Sequence, residues 1–204
     1  MKKEKLSVRE LCLIAIFVAL TAVCAQIAIH LPFSPVPISF GMVGVYTAAI
    51  LLSPKCAIIS QVCYLLLGAA GVPVFGGFRG GIWALFGPTG GYLLVYPIMA
   101  AIVSFTLNSK RALLVERSQR RVLVKGAISI CVAHLVLYLG GTIWLSATTG
   151  NTFIAGLSLA VFPYIPLDIV KIVFCVFVIV PLRKRIMNMG LLNISIRALK
   201  REGI

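Results

Sequence analysis

Long apolar runs, following one another from Leu11 to Leu182, constrain this chain more than any other feature. A helix that crosses the hydrocarbon of a bilayer needs about 20 apolar residues, within a range of about 17–25. Runs of this kind fall near 10–30, 37–53, 56–72, 89–107, 124–146 and 160–182, the second and third being short and bounded by proline or glycine. Composition agrees with that reading. Of the 204 residues 60% are hydrophobic and 12% charged, against roughly 25% charged in a soluble domain. So much apolar surface does not fit inside one soluble core of this size. The expectation is an all-α integral membrane protein, a bundle of six transmembrane helices forming a single membrane domain over residues 1–204.

An even number of spans puts both termini on one side, and the basic residues decide which. Lys2, Lys3, Lys5, Arg9, Lys55, Lys110, Arg111, Arg117, Arg120, Arg121, Lys125, Arg183, Lys184, Arg185, Arg197, Lys200 and Arg201 share one set of flanks. Of the 19 basic residues, Arg79 alone lies on the opposite flanks, and Lys171 lies inside a span. Lys and Arg accumulate on the cytoplasmic side of membrane proteins, so both termini are expected in the cytoplasm. The same bias accounts for the net charge of +14, which in a soluble protein would point to nucleic acid; no nucleic-acid partner is expected. The basic stretch Met1–Arg9 opens as a signal peptide does, but the apolar core of a signal peptide is only about 7–15 residues long. This run continues to about Ile29, so an uncleaved first span is expected. The six cysteines form no CxxC, and neither histidine sits near one at zinc-ligand spacing. Reduced thiols are expected, with no disulfide, metal or cofactor. Residues 108–124 form the longest cytoplasmic loop, and the tail after Arg185 reads either as an amphipathic surface helix or as a frayed end.

The acidic residues are Glu4, Glu10, Glu116, Asp168 and Glu202. Asp168 is the one carboxylate within a span, and Lys171 follows three residues later. In a helix, residues i and i+3 share a face, so the two charges point the same way, toward the bundle interior. Each costs roughly 2.5–3.5 kcal/mol on insertion scales. One reading is a self-neutralising pair that only orients the helix. A ligand site is preferred, because replacing such a pair by apolar residues is often neutral for stability. Pro163 and Pro166 put Asp168 near the outer end of the span.

Glycine concentrates in residues 68–91, which hold half of the 18 in the chain. Glycine tolerates positive φ and close backbone approach, so this segment reads as an irregular outer loop that folds down into the protein. Phe75, Phe78, Trp83 and Phe86 are expected to wall an apolar pocket, with Arg79 offering a bidentate donor to a carboxylate. The competing reading anchors those aromatics in the interface belt and sets Arg79 against lipid phosphate. The segment is not a phosphate cradle, since it lacks the GxxxxGK order. With no Walker A lysine, the chain is not expected to hydrolyse ATP itself.

Ala15 and Ala19 form a small-xxx-small pair on the first span, which admits a closely packed second helix, either internal or on a partner. His30 and His134 read as satisfied hydrogen-bonding residues rather than ligands. Gln61, Tyr64 and Asn151 are able to hydrogen-bond a solute. The stiff loop with Pro32, Pro35 and Pro37 suits a lid over an outer pocket.

Taken together, LPFSPVPISF, YLLLGAAGVPVF, FRGGIWALFGPTGGYLLVYP and the Asp168-x-x-Lys171 element resemble the BioY family, the biotin-specific substrate-binding (S) components of energy-coupling-factor (ECF) transporters. The resemblance covers nearly the whole chain in order. It implies a six-helix S-component in a prokaryotic cell membrane that captures biotin from outside with high affinity. It implies that Asp168 and Lys171 are essential for uptake, and that Ala15 and Ala19 meet the transmembrane coupling subunit, which works with two ATP-binding-cassette (ABC) subunits. The expected ligand set is Asp168, Lys171, Arg79, Trp83, Phe86, Tyr92, Gln61 and Tyr164. Biotin offers two ureido N–H donors, a carbonyl, an apolar ring system and a carboxylate, for which an acid, cations and aromatics are complementary. The residues alone leave open which cation meets which end. A stand-alone secondary carrier for a small carboxylate is the alternative, with Asp168 as an ion site. An intramembrane enzyme is disfavoured, because one Asp and one Lys supply no second acid, histidine pair or metal set.

Overall fold

The computed structural model describes residues 6–29, 36–108 and 118–188. Most of them are helical. The first helix, α1 (Val8–Gln26), starts at a reciprocal cap: the Glu10 amide donates to Ser7 Oγ at 3.2 Å, and the Ser7 amide to Glu10 Oε2 at 2.8 Å. It stops at Gln26, short of the expected end at 30, because the chain turns into an antiparallel ribbon. Strands β1 (Ala28–Ile29) and β2 (Ile38–Ser39) pair there, Ala28 opposite Ser39 and Ile29 opposite Ile38. Of the expected proline lid only Pro37 is described; Pro32, Pro35 and His30 lie outside the described residues.

Next come α2 (Gly41–Leu51) and α3 (Pro54–Ala69). They are separated by a break at Leu52 and Ser53, where Ser53 accepts from the Cys56 amide and Pro54 opens α3. Proline suits that position because the first helical N–H has no partner within the helix. Then follow α4 (Ile82–Phe86), α5 (Gly90–Leu94), α6 (Tyr96–Asn108), α7 (Gln119–Thr149), α8 (Phe153–Ala160), α9 (Ile165–Phe174), a π-helical turn (Cys175–Ile179) and α10 (Val180–Asn188).

Four stretches are long and apolar enough to cross a membrane: Val8–Gln26, Gly90–Asn108, Gln119–Thr149 and Ile165–Arg183. The two others anticipated from sequence are apolar but shorter, α2 with 11 residues and α3 with 16. Helix α7 begins at Gln119 rather than at 124, so Arg120 and Arg121 are helical instead of lying in a loop. It ends at Gly150, whose φ of 71° is the left-handed conformation that closes many helices. The segment read as a connection near 150–160 contains α8, capped by Thr152, which accepts from the Ala155 amide. The glycine-rich loop likewise holds a short helix, α4.

Helix α2 is the centre of the bundle, buried along most of its length and packed against α1, α3 and α6. The approach to α1 is tight, since a Cβ on Gly44 would sit 2.7 Å from the Thr21 Cα. Outward surfaces are apolar instead of polar. Ile16, Leu135 and Phe177 are 59%, 60% and 68% exposed, as lipid contact requires. At one end of the bundle Asn108 Nδ2 donates to the carbonyls of Ala49, Ile50 and Leu52 at 2.8–2.9 Å, groups that the end of α2 leaves without helical partners. Arg183 Nε donates to Asn108 Oδ1 at 2.7 Å, which ties α2, α6 and α10 together.

Candidate functional site

Asp168 lies in the first turn of α9, one turn after the Pro163–Pro166 break. Pro166 occupies a position where no N–H is needed, and a carboxylate in the first turn suits the positive end of the helix. The i, i+3 geometry expected from sequence is present: Lys171 Nζ donates to Asp168 Oδ1 at 2.9 Å, and both side chains are buried. Lys171 Nζ also donates to the Ser39 carbonyl at 2.9 Å and sits 5.3 Å from the centre of the Phe40 ring. The ribbon β1–β2 thus delivers both an acceptor and an aromatic face to the lysine.

The second carboxylate oxygen is held from α7. Tyr138 donates its hydroxyl to Asp168 Oδ2 at 2.7 Å, and His134 Nε2 lies 3.2 Å from the same atom. These two side chains are four residues apart, on one face of α7, with ring centres 4.5 Å apart in an edge-on arrangement. On its other side His134 Nδ1 is 3.0 Å from the Tyr46 hydroxyl. Side chains of α7 and α9 therefore converge on one anion, with Tyr46 of α2 standing behind His134. This matches the expectation that His134 is a satisfied hydrogen-bonding residue, but its neighbour was not legible from the sequence.

Asp168 and Lys171 open onto a cavity whose walls include Phe75, Tyr92, Tyr96, Tyr138 and Tyr164, with Arg79 among its lining residues. Each wall is pinned. Tyr164 donates to the Val36 carbonyl, Tyr92 lies 3.4 Å from Thr142 Oγ1, and Tyr64 packs edge-on against Phe75 while stacking on Tyr96. Arg79 is exposed and belongs to a tight hairpin in which the Phe75 and Arg79 backbones exchange two hydrogen bonds. Inside that hairpin Phe78 has φ of 57°, the one non-glycine residue with positive φ among the described residues. Its amide donates to Gln26 Oε1 at 2.8 Å, and Gln26 Nε2 reaches back to the Pro73 carbonyl at 3.4 Å. The end of α1 thereby holds the Arg79 hairpin. Chemically, the cavity offers a fixed anion, a buried ammonium, an edge guanidinium and aromatic walls.

Over residues 1–188 the sequence matches the BioY family. The chain belongs to the BioY family. Among relatives of this BioY chain, the probable biotin transporter BioY of Pyrococcus horikoshii is 38% identical over 163 residues, covering 80% of this chain and 89% of that one. Biotin transporter BioY2 of Lactococcus lactis subsp. cremoris is 34% identical over 161 residues, covering 79% and 82%. A crystal structure of the S-component for biotin from an ECF-type ABC transporter superposes with a TM-score of 0.74 at 29% identity, covering 87% of this chain and 92% of that chain.

Five of the eight ligand residues expected for this BioY-family chain come together at the cavity: Asp168, Lys171, Arg79, Tyr92 and Tyr164. The other three do not. Gln61 is buried between α1 and α3, donating to Thr21 Oγ1 at 3.4 Å and Ser60 Oγ at 3.2 Å. Trp83 and Phe86 are 83% and 61% exposed on α4. That one-turn helix turns its large aromatics outward, as Phe78 also does, so of the four expected wall aromatics only Phe75 serves. Ser39, Tyr96 and Tyr138 join the site without having been singled out. Ala15 and Ala19 are exposed, lining an open apolar groove between α1 and α3 with Leu11, Leu66 and Leu67.

Proposed function

We propose that this chain is the biotin-binding S-component of an ECF-type ABC importer, with six spans and both termini in the cytoplasm of a cell that carries it in its cell membrane. The observation that carries this reading is the buried Asp168–Lys171 pair opening onto an aromatic-walled cavity, in a chain of the BioY family. An ionised carboxylate only accepts hydrogen bonds, so Asp168 takes a ureido N–H of biotin. Lys171 donates toward the ureido carbonyl, while Tyr92, Tyr96, Tyr164 and Phe75 cover the fused rings. Asp168 and Lys171 cancel in charge, which leaves Arg79 as the net positive group at the cavity edge and the partner of the valerate carboxylate. Trp83 and Phe86 anchor α4 in the membrane interface instead of touching ligand, and Gln61 serves packing between α1 and α3.

The open groove at Ala15 and Ala19 supports docking of the transmembrane coupling subunit, where small side chains let a foreign helix approach. Two ABC ATPase subunits then supply the energy, and this chain performs no chemistry of its own. Uptake of labelled biotin into proteoliposomes tests the assignment. Accumulation is expected when the coupling module and ATP are present, and not with this chain alone. Gradient-driven accumulation by the chain alone would identify a secondary carrier and contradict the proposal.

A further inference from the structure

His134 is not part of the cavity wall. It is 4% exposed and Tyr46 behind it is fully buried, so neither reaches a solute in the cavity. Yet the ring stands between two groups with fixed demands. An ionised Asp168 only accepts, so Nε2 must donate to it; a neutral imidazole then accepts through Nδ1, and the Tyr46 hydroxyl at 3.0 Å is the donor that fits. The contacts around Asp168 explain why such an arrangement matters. Lys171 takes Oδ1, while Tyr138 and His134 both donate to Oδ2. Two donors on one oxygen and one on the other fix the plane of the carboxylate. Of roughly four acceptor sites on a carboxylate, three are filled by protein, which leaves a single one for a ligand.

We propose that His134, itself held by Tyr46, is a positioning residue that fixes the orientation of Asp168 and so limits the site to ligands that present an N–H donor at one place. This rests on the reading of Asp168 as the ligand acceptor. Tyr138 differs from His134 in that it also lines the cavity, so His134 isolates the positioning role. The lost contact costs binding through geometry. With Lys171 on Oδ1 and Tyr138 on Oδ2 still in place, the carboxylate keeps its charge but gains a second open acceptor site and room to tilt. Its lone pair is then aimed less sharply, and pre-aimed groups bind more tightly than groups ordered on binding.

Two measurements on the purified full chain test this. In the ligand-free protein, nitrogen NMR of labelled histidine should show the His134 proton on Nε2, and Tyr46→Phe should move the Nδ1 signal. A bare Nε2 would overturn the assignment. In calorimetry with biotin, His134→Leu should lose at least tenfold in affinity, and His134→Gln, whose terminal amide supplies an N–H near the Nε2 position, should stay within threefold of the parent. His134→Leu binding biotin as the parent does would refute the proposal. So would His134→Gln binding no better than His134→Leu when its ligand-free melting temperature equals that of the parent. If the parent chain binds no biotin while the ring signature persists, the biotin reading fails and the positioning of Asp168 stands.

Discussion

Asp168 and Lys171 could be picked out from sequence because a charge in an apolar run is costly enough to demand a reason. Their neighbours could not. Tyr138 and His134 lie 30 and 34 residues away and reach the carboxylate only through the packing of α7 on α9. Spacing shows that these two share a face of α7, and says nothing about which helix that face meets. The misplacement of Trp83 and Phe86 has the same origin, since the sequence marks aromatic residues near a loop but does not set their direction. Tyr138→Phe removes a hydroxyl bond to an anion. Hydrogen bonds between membrane helices average about 0.6 kcal/mol, with a maximum of about 1.7 kcal/mol. A charged acceptor puts this one near the top of that range. The ligand-free melting temperature should therefore fall measurably, and an unchanged value would mean that Tyr138 and Asp168 are not bonded.

At the scale of elements, the long spans were legible because length and apolarity alone define them, and their edges were not. The capping of α8 by Thr152 and the early start of α7 depend on local turns that hydropathy does not register. The close pass of α1 and α2 at Gly44 gives one prediction. A Cβ there meets backbone at 2.7 Å, and Thr21 belongs to a helix that cannot shift alone. Gly44→Ala should destabilise by about 1–3 kcal/mol, as overpacking typically does, with thermal unfolding in detergent as the check. A second concerns the hairpin that carries Arg79. Gln26 satisfies the Phe78 amide, in a backbone conformation that costs of order 1–3 kcal/mol unless its surroundings enforce it. Gln26→Leu should speed tryptic cleavage after Arg79 and raise the rate of biotin dissociation. Equal cleavage rates in the two proteins would show that α1 does not hold the loop.

For the whole molecule, the site and the groove lie on different surfaces of α1 and its neighbours. Ala15 and Ala19 face out, whereas Ala25 on the same helix lines the cavity. Ala15→Trp or Ala19→Trp should accordingly leave biotin binding intact and abolish uptake once the coupling module is added. Loss of binding would mean that the groove is closed by this chain itself. Two polar clusters among the described residues also lie apart, Asp168 with Lys171 in one and Arg183 with Asn108 in the other, each met by side chains or carbonyls from other elements. Each cluster joins elements that are distant in sequence.

Calorimetric titration of the purified chain with biotin, beside its Asp168→Asn variant, bears most directly on the proposal that Asp168 reads the ligand. The substitution keeps the shape of the side chain and the Lys171 contacts with the Ser39 carbonyl and the Phe40 ring, but replaces an acceptor-only anion by a neutral amide. Tight binding by the parent, with at least a hundredfold loss in a variant that still gives a monodisperse, thermally cooperative protein, is the predicted result. A folded Asp168→Asn protein that binds biotin as tightly as the parent would contradict the account.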